Sequence, residues 1–193
     1  MKRIIAIIPA RGGSKRLKRK NIHPVCGKPM IYWAMNACKE SKYEIDVWVS
    51  TEDDEIAGVA LFYGGKWHNR PKHLSEDNIY KQEAIRSAAQ HIFDYEHRLT
   101  GKHPDIIISL QANSPTIKSK DIDEAIDLLI KHDRDEIISV DNNLMQNAAF
   151  RIFKGNYVFQ KDLSTNCGVY VTDIHDVHTI DDVKIVEGVM NDN

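Results

Sequence analysis

The chain has 193 residues, of which 42% are hydrophobic and 28% charged, a composition typical of a globular domain large enough to bury a core. No apolar run approaches membrane-spanning length, so no contact with a bilayer is expected. The net charge is −2, yet residues 1–39 hold ten Lys and Arg, and all 28 acidic residues follow them. Because the acidic remainder would repel a nucleic acid, the basic segment predicts a site for a compact anion such as a polyphosphate.

The apolar stretch Ile4–Pro9 is too short for a secretory signal, and a second basic cluster follows it directly. The three cysteines, Cys26, Cys38 and Cys167, show neither a paired metal-ligand spacing nor an even-numbered disulfide pattern. A reducing setting fits these features best, so a cytoplasmic location is expected.

Hydrophobic periodicity predicts strands alternating with helices. The β-branched run at 4–8 is typical of a strand buried on both faces, and the glycine-, proline- and charge-rich segment 9–29 is typical of a long functional loop. The elements expected after it are a helix at 30–38, a strand at 46–50, a helix from Asp53 or Asp54 to 62, a strand at 66–69, a helix at 79–93, a strand at 105–110, a helix at 121–131, strands at 136–140 and 168–171, and a helix at 180–190.

The stretch 142–168 has the weakest pattern, with short strands expected around 150–153 and 157–160. The alternation of strands and helices predicts an α/β fold with a mostly parallel central sheet, formed by a single domain over 1–193. Because ligands of such sheets bind at the carboxyl ends of strands, we expect the site at the loops that follow 4–8 and 105–110.

The loop after the first strand combines glycines with cations. Residues 11–15 read Arg-Gly-Gly-Ser-Lys, and residues 20–21 read Lys-Asn. The glycines allow a tight turn that brings backbone N–H groups against an anion, and the cations neutralise phosphate oxygens. The pattern is neither a Walker A loop nor the Rossmann glycine motif. A basic surface loop that only adds solubility is the alternative, but the position directly after a buried strand favours a phosphate site.

Several motifs, taken in order, resemble those of the acylneuraminate cytidylyltransferases. They are Ile-Pro-Ala-Arg-Gly-Gly-Ser-Lys at 8–15 with Lys-Asn-Ile at 20–22, Gly-Lys-Pro-Met at 27–30, Val-Ser-Thr-Glu-Asp at 49–53, Arg-Pro at 70–71 with Leu74 and Asp77, and Leu-Gln-Ala-Asn-Ser-Pro at 110–115. The matches cover roughly residues 4–130. The resemblance implies a Rossmann-like nucleotidyltransferase domain, CTP and an acidic sugar as partners, and a homodimer.

The resemblance also implies roles for single residues. The CTP-binding set would be Arg11, Gly12, Ser14, Lys15, Lys20, Asn21 and Arg70. Within it, Arg11 and Lys20 would be catalytic, since they neutralise the reacting phosphates, and Asn21 and Arg70 would position the cytidine. Gln111 would face the sugar. Taken alone, Arg70 would be interpreted as an exposed residue before a proline and Gln111 as a polar residue that ends a strand; the ordered motifs favour the binding roles.

A metal site is implied near the C-terminus. Asp-Val-His-Thr at 176–179 resembles a family segment, Asp-Ile-Asp-Thr, whose two aspartates face the metal. Mg²⁺ is therefore the implied cofactor, held by Asp176 and His178 if a strand's period of two puts both on one face. Because imidazole is a poor Mg²⁺ ligand, Mn²⁺ or Co²⁺ is an alternative ion. The other interpretation is two solvated polar residues at a helix start.

The sugar side departs from the family pattern. The region near 142–170, expected to serve sugar binding and dimerisation, is short. Relatives carry arginines before an Asn-Gly-x-x-Tyr strand, suited to the sugar carboxylate, whereas here only Lys161 stands nearby and Arg151 is farther back. We therefore expect CMP transfer from CTP to the anomeric hydroxyl of an N-acylneuraminate or a similar acidic 2-keto sugar, with pyrophosphate released. The alternatives are a non-catalytic nucleotide-binding relative, or the same chemistry on a legionaminic, pseudaminic or Kdo-like acid.

Overall fold

A computed structural model describes residues 2–191, without the side chain of Ala148. Its strands are β1 (Ile4–Pro9), β2 (Pro24–Val25), β3 (Lys28–Pro29), β4 (Ile45–Thr51), β5 (Lys66–Asn69), β6 (Ile106–Leu110), β7 (Glu136–Val140), β8 (Gln146–Lys154) and β9 (Cys167–Val171). Its helices are α1 (Met30–Lys39), α2 (Asp54–Phe62), α3 (Lys81–Thr100), α4 (Ser119–Lys131) and α5 (Ile180–Asn191). The prediction of one domain over 1–193 includes Met1, Asp192 and Asn193, which lie outside the described residues, and it stays a prediction.

The main sheet has the strand order β5-β4-β1-β6-β8-β7-β9. β1 pairs in parallel with both β4 and β6, and β4 pairs in parallel with β5. β8 runs antiparallel to its neighbours β6 and β7, whereas β9 is parallel to β7. The prediction of an α/β fold with a mostly parallel central sheet is confirmed.

Both faces of the sheet are covered by helices. On one face, Ile4, Ala6 and Ile8 of β1 pack with the apolar sides of α1, α2 and α4. On the other face, Ile5 and Ile7 pack with α3. This alternation follows from the two-residue period of a strand, and it explains why the run at 4–8 is apolar at every position. Each fully buried side chain of this size contributes about 1.5–3 kcal/mol.

Two predicted elements need correction. The strand expected at 157–160 is wrong: residues Gly155–Phe159 form a 3-10 helix, and Val158 is buried against α3. The chain turns there because the amide of Gly155 donates to the carbonyl of Asp105 (2.8 Å), which ties the end of β8 to the start of β6. The helix α3 continues to Thr100 rather than ending at 93, and it stops where Gly101 adopts a left-handed conformation (φ 70°).

Within residues 2–191, no helix is both long enough and apolar enough to cross a membrane. Cys26, Cys38 and Cys167 are free thiols. The buried Cys38 thiol has a pKa raised to about 12 because burial disfavours the thiolate, so it serves as a core side chain.

Gly155→Ala is expected to destabilise the protein by roughly 1–3 kcal/mol, since a Cβ there would lie 2.1 Å from the carbonyl oxygen of Pro104. The matched control is Gly58→Ala in the exposed middle of α2, where a Cβ meets nothing within 4 Å. That change is expected to stabilise by up to about 1 kcal/mol, because alanine is the better helix former. Urea unfolding of both variants measures the difference, and equal free energies of unfolding would contradict this account of the turn.

Candidate functional site

A cleft of about 580 Å³ opens at the carboxyl ends of the central strands. Its lining brings together eight residues that the sequence predicted, namely Arg11, Ser14, Lys15, Lys20, Asn21, Arg70, Gln111 and His178. They come from segments far apart in the chain, which meet because β1, β4 and β6 are parallel neighbours whose carboxyl ends share one edge.

The loop after β1 is fixed by hydrogen bonds from both sides. The side chain of Asn21, which is buried, donates from Nδ2 to the carbonyl oxygen of Arg11 (2.9 Å). The amide of Gly12 donates to Glu52 Oε1 (2.8 Å), and the other oxygen of Glu52 accepts from Ser75 Oγ (2.6 Å). Gly12 does not line the cleft, and its N–H is engaged here, so its role in CTP binding stays a prediction.

Gly12 is required for a packing reason. A Cβ at this position would lie 2.5 Å from Asp53 Oδ2, so no larger residue fits without movement. Asp53 is itself held in place, because its Oδ1 accepts from the amides of Glu55 and Ile56 at the start of α2. Its Oδ2 pairs with Arg19 of the loop (2.5 Å). The helix start and the loop are thereby joined through one carboxylate.

Two of the predicted phosphate-binding cations share a carboxylate. Asp77 pairs with Arg11 through Nη1 and Oδ1 (2.9 Å), and its other oxygen accepts from the ammonium of Lys15. The hydrogen bond from Lys15, and then the one from Arg11, lowers the pKa of Asp77. The three side chains are substantially exposed, and ion pairs of that kind contribute only about 0–1 kcal/mol. A phosphate can therefore replace Asp77 at small cost.

Lys20 is less solvated than the other loop cations. It is half-buried, and desolvation lowers its pKa; the positive charges of Arg16 and Arg11 lower it further, while Asp176 opposes them. When an anion binds next to a partly desolvated cation that has other cations around it, the charged form of that cation is strongly stabilised. Lys20 is consequently the loop residue whose environment most favours phosphate binding.

Arg70 lies at the back of the cleft and is buried. Its guanidinium donates from Nε to Ser50 Oγ (3.2 Å) and from Nη2 to the Ser50 carbonyl oxygen (2.5 Å). Burial lowers its pKa to about 10. Ser50 Oγ is also 3.0 Å from Nδ1 of His68, a buried histidine whose pKa is lowered to about 4, first by desolvation and then by His91 and Arg70. A neutral His68 next to Arg70 avoids a second buried positive charge.

The segment that holds Asp176 and His178 is positioned by the loop after β6. The amide of Val177 donates to the Asn113 carbonyl (2.8 Å), and Asn113 Nδ2 donates back to the Val177 carbonyl (3.1 Å). Ser114 Oγ donates to Asp176 Oδ1 (2.5 Å). Residues 172–178 belong to no strand, so the expectation that a strand's period aligns 176 with 178 is wrong. The two residues instead flank the fully buried Val177.

Both residues of the predicted metal pair are partly buried rather than fully solvated. His178 has a buried Nδ1 without a hydrogen-bond partner among the described residues, and desolvation lowers its pKa. Asp182, a carboxylate four residues after His178, is occupied, because its Oδ2 accepts from the amides of His178 and Thr179.

No group of three or more His, Cys, Asp or Glu side chains within residues 2–191 is arranged to hold a metal ion. The donors that remain are one oxygen of Asp176 and the unpartnered nitrogen of His178. They fit a divalent ion that takes its other ligands from phosphates and water, as Mg²⁺ does at nucleotide sites.

Among the other residues that line the cleft are Arg16, Lys81 and Asn113, for which the sequence predicted no role. Asn113 lies in the matched motif at 110–115, so that motif contained a signal for it. Lys81 lies outside the matched motifs, so they contained no signal for it.

The two basic residues considered for the sugar carboxylate lie elsewhere. Arg151 donates from Nε to Glu136 Oε2 (2.6 Å), and its Nη2 lies 2.5 Å from the same oxygen. Glu136 is fully buried, and its other oxygen accepts from the amide of Ser164. Lys161 is exposed and does not line the cleft. Breaking a buried pair such as Arg151–Glu136 costs several kcal/mol, so Arg151 is not free to bind a ligand.

The sequence matches the family model described as cytidylyltransferase over residues 5–186. It is 39% identical to N-acylneuraminate cytidylyltransferase A of Danio rerio over 137 residues, which are 71% of this chain and 30% of the relative. It is 33% identical to a pseudaminic acid cytidylyltransferase of Campylobacter jejuni over 66% of this chain and 53% of the relative. The matches thus span about a third and about half of these relatives.

The fold is similar to that of a solved CMP:2-keto-3-deoxy-manno-octonic acid synthetase complexed with CTP. The TM-score is 0.77, with 16% sequence identity and coverage of 99% of both chains. At this identity the likeness concerns the fold alone, and it agrees with the mostly parallel sheet described above.

The buried His68 is expected to make stability pH-dependent. The unfolded chain takes up a proton at the ordinary pKa of 6.5, whereas the folded protein resists protonation down to about 4. The free energy of unfolding therefore falls as the pH drops from about 6.5 toward 4, by up to ~3 kcal/mol from this residue. His68→Asn should flatten that part of the profile in urea unfolding, whereas His132→Asn, at an exposed position, should not. An unchanged profile in His68→Asn would contradict the assignment.

Proposed function

The chain belongs to the cytidylyltransferase family, and on that premise we propose that it transfers CMP from CTP to the anomeric hydroxyl of an acidic 2-keto sugar. The observation that carries the proposal is one cleft whose lining combines Arg11, Lys15 and the half-buried Lys20 with Gln111 from the loop after β6. Cations that can bind a triphosphate and a polar side chain that can bind an acceptor thus line the same cleft.

The triphosphate would bind along the loop after β1. Arg11 and Lys15 are bridged by Asp77, an exposed carboxylate that a phosphate can replace. Lys20 lies deeper, and Ser14 lines the wall beside these cations. Arg70 is hydrogen-bonded to Ser50 at the back of the cleft, and Asn21 is hydrogen-bonded to the backbone of Arg11. Both side chains are therefore fixed beside the loop, which supports their proposed role in positioning the cytidine. Each charge-assisted contact of this kind contributes about 1.5–3 kcal/mol.

The chemical step joins the acceptor oxygen to the α-phosphorus and breaks the bond from that phosphorus to the bridging oxygen of pyrophosphate. The hydroxyl proton goes to water, and pyrophosphate departs with the electron pair. Lys20 and Arg11 neutralise the charge that develops on the phosphates, so catalysis rests on alignment and electrostatics rather than on a covalent intermediate. A residue acting as nucleophile is not needed.

Asp176 and His178 would hold a divalent ion, Mg²⁺ in the first instance and Mn²⁺ or Co²⁺ as alternatives. When bound, such an ion supplies Lewis acidity toward phosphate oxygens and lowers the pKa of a bound hydroxyl. Asp176 does not itself line the cleft, but it accepts from Ser114 Oγ, which fixes its carboxylate beside the loop after β6.

The acceptor is proposed to be an N-acylneuraminate or a close relative of it. Gln111 lines the cleft at the end of β6, and its amide can both donate to and accept from a sugar. Similarity to relatives named for N-acylneuraminate and for pseudaminic acid supports this class. Pseudaminic, legionaminic and Kdo-like acids are therefore included in the panel of acceptors.

A non-catalytic nucleotide-binding protein is the second candidate. It is favoured by two observations: His178 takes the place of a second carboxylate, and Arg151 is sequestered by Glu136. The proposal further includes a cytoplasmic protein, supported by its free thiols, and a homodimer. Exposed Val169 and Val171 on the edge strand β9 support the dimer.

Lys20→Ala is expected to weaken CTP binding roughly 10- to 100-fold, because one charge-assisted phosphate contact is lost. The CTP-induced rise in melting temperature should shrink accordingly. Lys18→Ala is the matched control, since Lys18 is exposed on the same loop and does not line the cleft. A full CTP-induced shift in a folded Lys20→Ala variant would show that the triphosphate does not bind this loop.

The metal preference tests the pairing of Asp176 with His178. Mn²⁺ or Co²⁺ should bind the CTP complex more tightly than Mg²⁺, and His178→Asp should shift the preference to Mg²⁺. Because the pKa of His178 is lowered, its imidazole stays neutral below its ordinary 6.5, and Mn²⁺ binding should be lost only as the pH falls further. Mn²⁺ titration by electron paramagnetic resonance measures this, with His175→Ala as the control in the same segment.

Pyrophosphate release that is supported by Mg²⁺ and indifferent to His178→Ala would show that His178 is no ligand. A protein that binds CTP but releases no pyrophosphate with any of the three ions and any acid of the panel would favour the non-catalytic candidate.

A further inference from the structure

Lys81, the first residue of α3, is a cleft cation that lies outside the loop after β1 and has no predicted role. It lines the same cleft as Gln111 and Asn113, and its side chain is open to the solvent of the cleft. Arg11 and Lys15 share Asp77, but no carboxylate within residues 2–191 forms an ion pair with Lys81. The protein atoms around its ammonium lower its pKa by desolvation. A cleft cation that no protein carboxylate neutralises is available to the opposite charge of a ligand.

The two cleft lysines have different charged neighbours. Lys20 interacts with Arg16 and Arg11 of the triphosphate loop, and also with Asp176. Lys81 interacts with Asp176 as well, but its other charged neighbour is Arg151 on β8. Arg151 pairs in register with Ser109 near the end of β6. Lys81 therefore belongs to the part of the cleft beside the loop after β6, which supplies Gln111 and Asn113 to the lining.

The geometry of in-line displacement indicates which substrate binds in the part of the cleft next to Lys81. The attacking oxygen and the departing pyrophosphate must lie on opposite sides of the α-phosphorus. If the loop after β1 holds the pyrophosphate portion, the acceptor lies across from it, next to Lys81 and Gln111. The start of the 20-residue helix α3 adds a partial positive charge there.

Other cations are excluded from this half of the site. Arg151 is held by the buried Glu136, and Lys161 is exposed outside the cleft. The remaining basic residues of the lining are Arg11, Lys15, Arg16, Lys20 and Arg70. Four of these belong to the triphosphate loop, and Arg70 is bonded to Ser50 at the back wall.

We propose that Lys81 binds the carboxylate of the acceptor and thereby selects an acidic sugar over a neutral one. This inference rests on the proposed transfer of CMP to an acidic 2-keto sugar. An ammonium–carboxylate contact in a partly desolvated cleft is a charge-assisted hydrogen bond, stronger than a surface ion pair. The lysine would take over the function that the sequestered Arg151 cannot perform.

The test compares Lys81→Met, Lys81→Arg and the exposed control Lys161→Met by isothermal titration calorimetry. Each protein is saturated with the non-reacting analogue cytidine 5′-(α,β-methylene)triphosphate. It is then titrated with N-acetylneuraminic acid, pseudaminic acid and Kdo, and with the methyl ester of each acid. Melting temperatures show that the variants are folded, and a separate titration gives the affinity for CTP.

Lys81→Met is expected to weaken binding of the acid at least about 10-fold, to leave binding of the methyl ester unchanged, and to alter CTP affinity by no more than about twofold. Lys81→Arg should retain most of the acid affinity because it keeps the charge, and Lys161→Met should match the wild type. The acid should therefore lose its preference over the ester only in Lys81→Met.

Different results would overturn this inference, the proposed transfer, or both. Equal acid affinity in Lys81→Met and wild type would remove Lys81 from the acceptor site, and a loss confined to CTP would assign it to the triphosphate. Selective loss of acid binding in Lys81→Met, together with a wild type that releases no pyrophosphate, would support Lys81 and overturn the proposed transfer. A wild type that binds CTP but none of the three acids would overturn the acidic acceptor and the role of Lys81 together.

Discussion

The parallel pairing of β1 with β4 on one side and β6 on the other is the constraint on which the site depends. It requires apolar side chains on both faces of β1, and Ile5 and Ile7 are completely buried. Because the three strands run in the same direction, the segments that follow them emerge at one edge of the sheet. The basic loop, Glu52 and the polar loop after β6 are neighbours for this reason.

Burial, more than the number of charges, distinguishes the cations of the cleft. Lys15 is exposed and shares Asp77 with Arg11, so its charge is already compensated. Lys20 and Lys81 form no ion pair with a carboxylate within residues 2–191, and desolvation lowers the pKa of both, although only Lys20 is half-buried. A compensated charge attracts a ligand weakly, whereas an uncompensated one remains available to an anionic ligand.

The C-terminal third completes the site through contacts that are distant in sequence. Asn113 exchanges hydrogen bonds with the backbone of Val177, which places Asp176 and His178 beside the loop after β6. α5 then packs its buried Val183 and Val186 in a cluster with Val25 and Met30, below the basic loop. The short connection between β9 and α5 contains no strand, yet it reaches the cleft and contributes His178 to its lining.

The sequence by itself determined the alternation of strands and helices, the buried run of β1 and the basic, glycine-containing loop after it, because these depend on local periodicity and residue type. It did not determine the 3-10 helix at Gly155–Phe159, which follows from the close approach of the backbone to Pro104. Nor did it place Lys81 in the cleft or show that Glu136 sequesters Arg151. Those facts depend on which residues distant in sequence come into contact and lose water, and only the tertiary structure decides that.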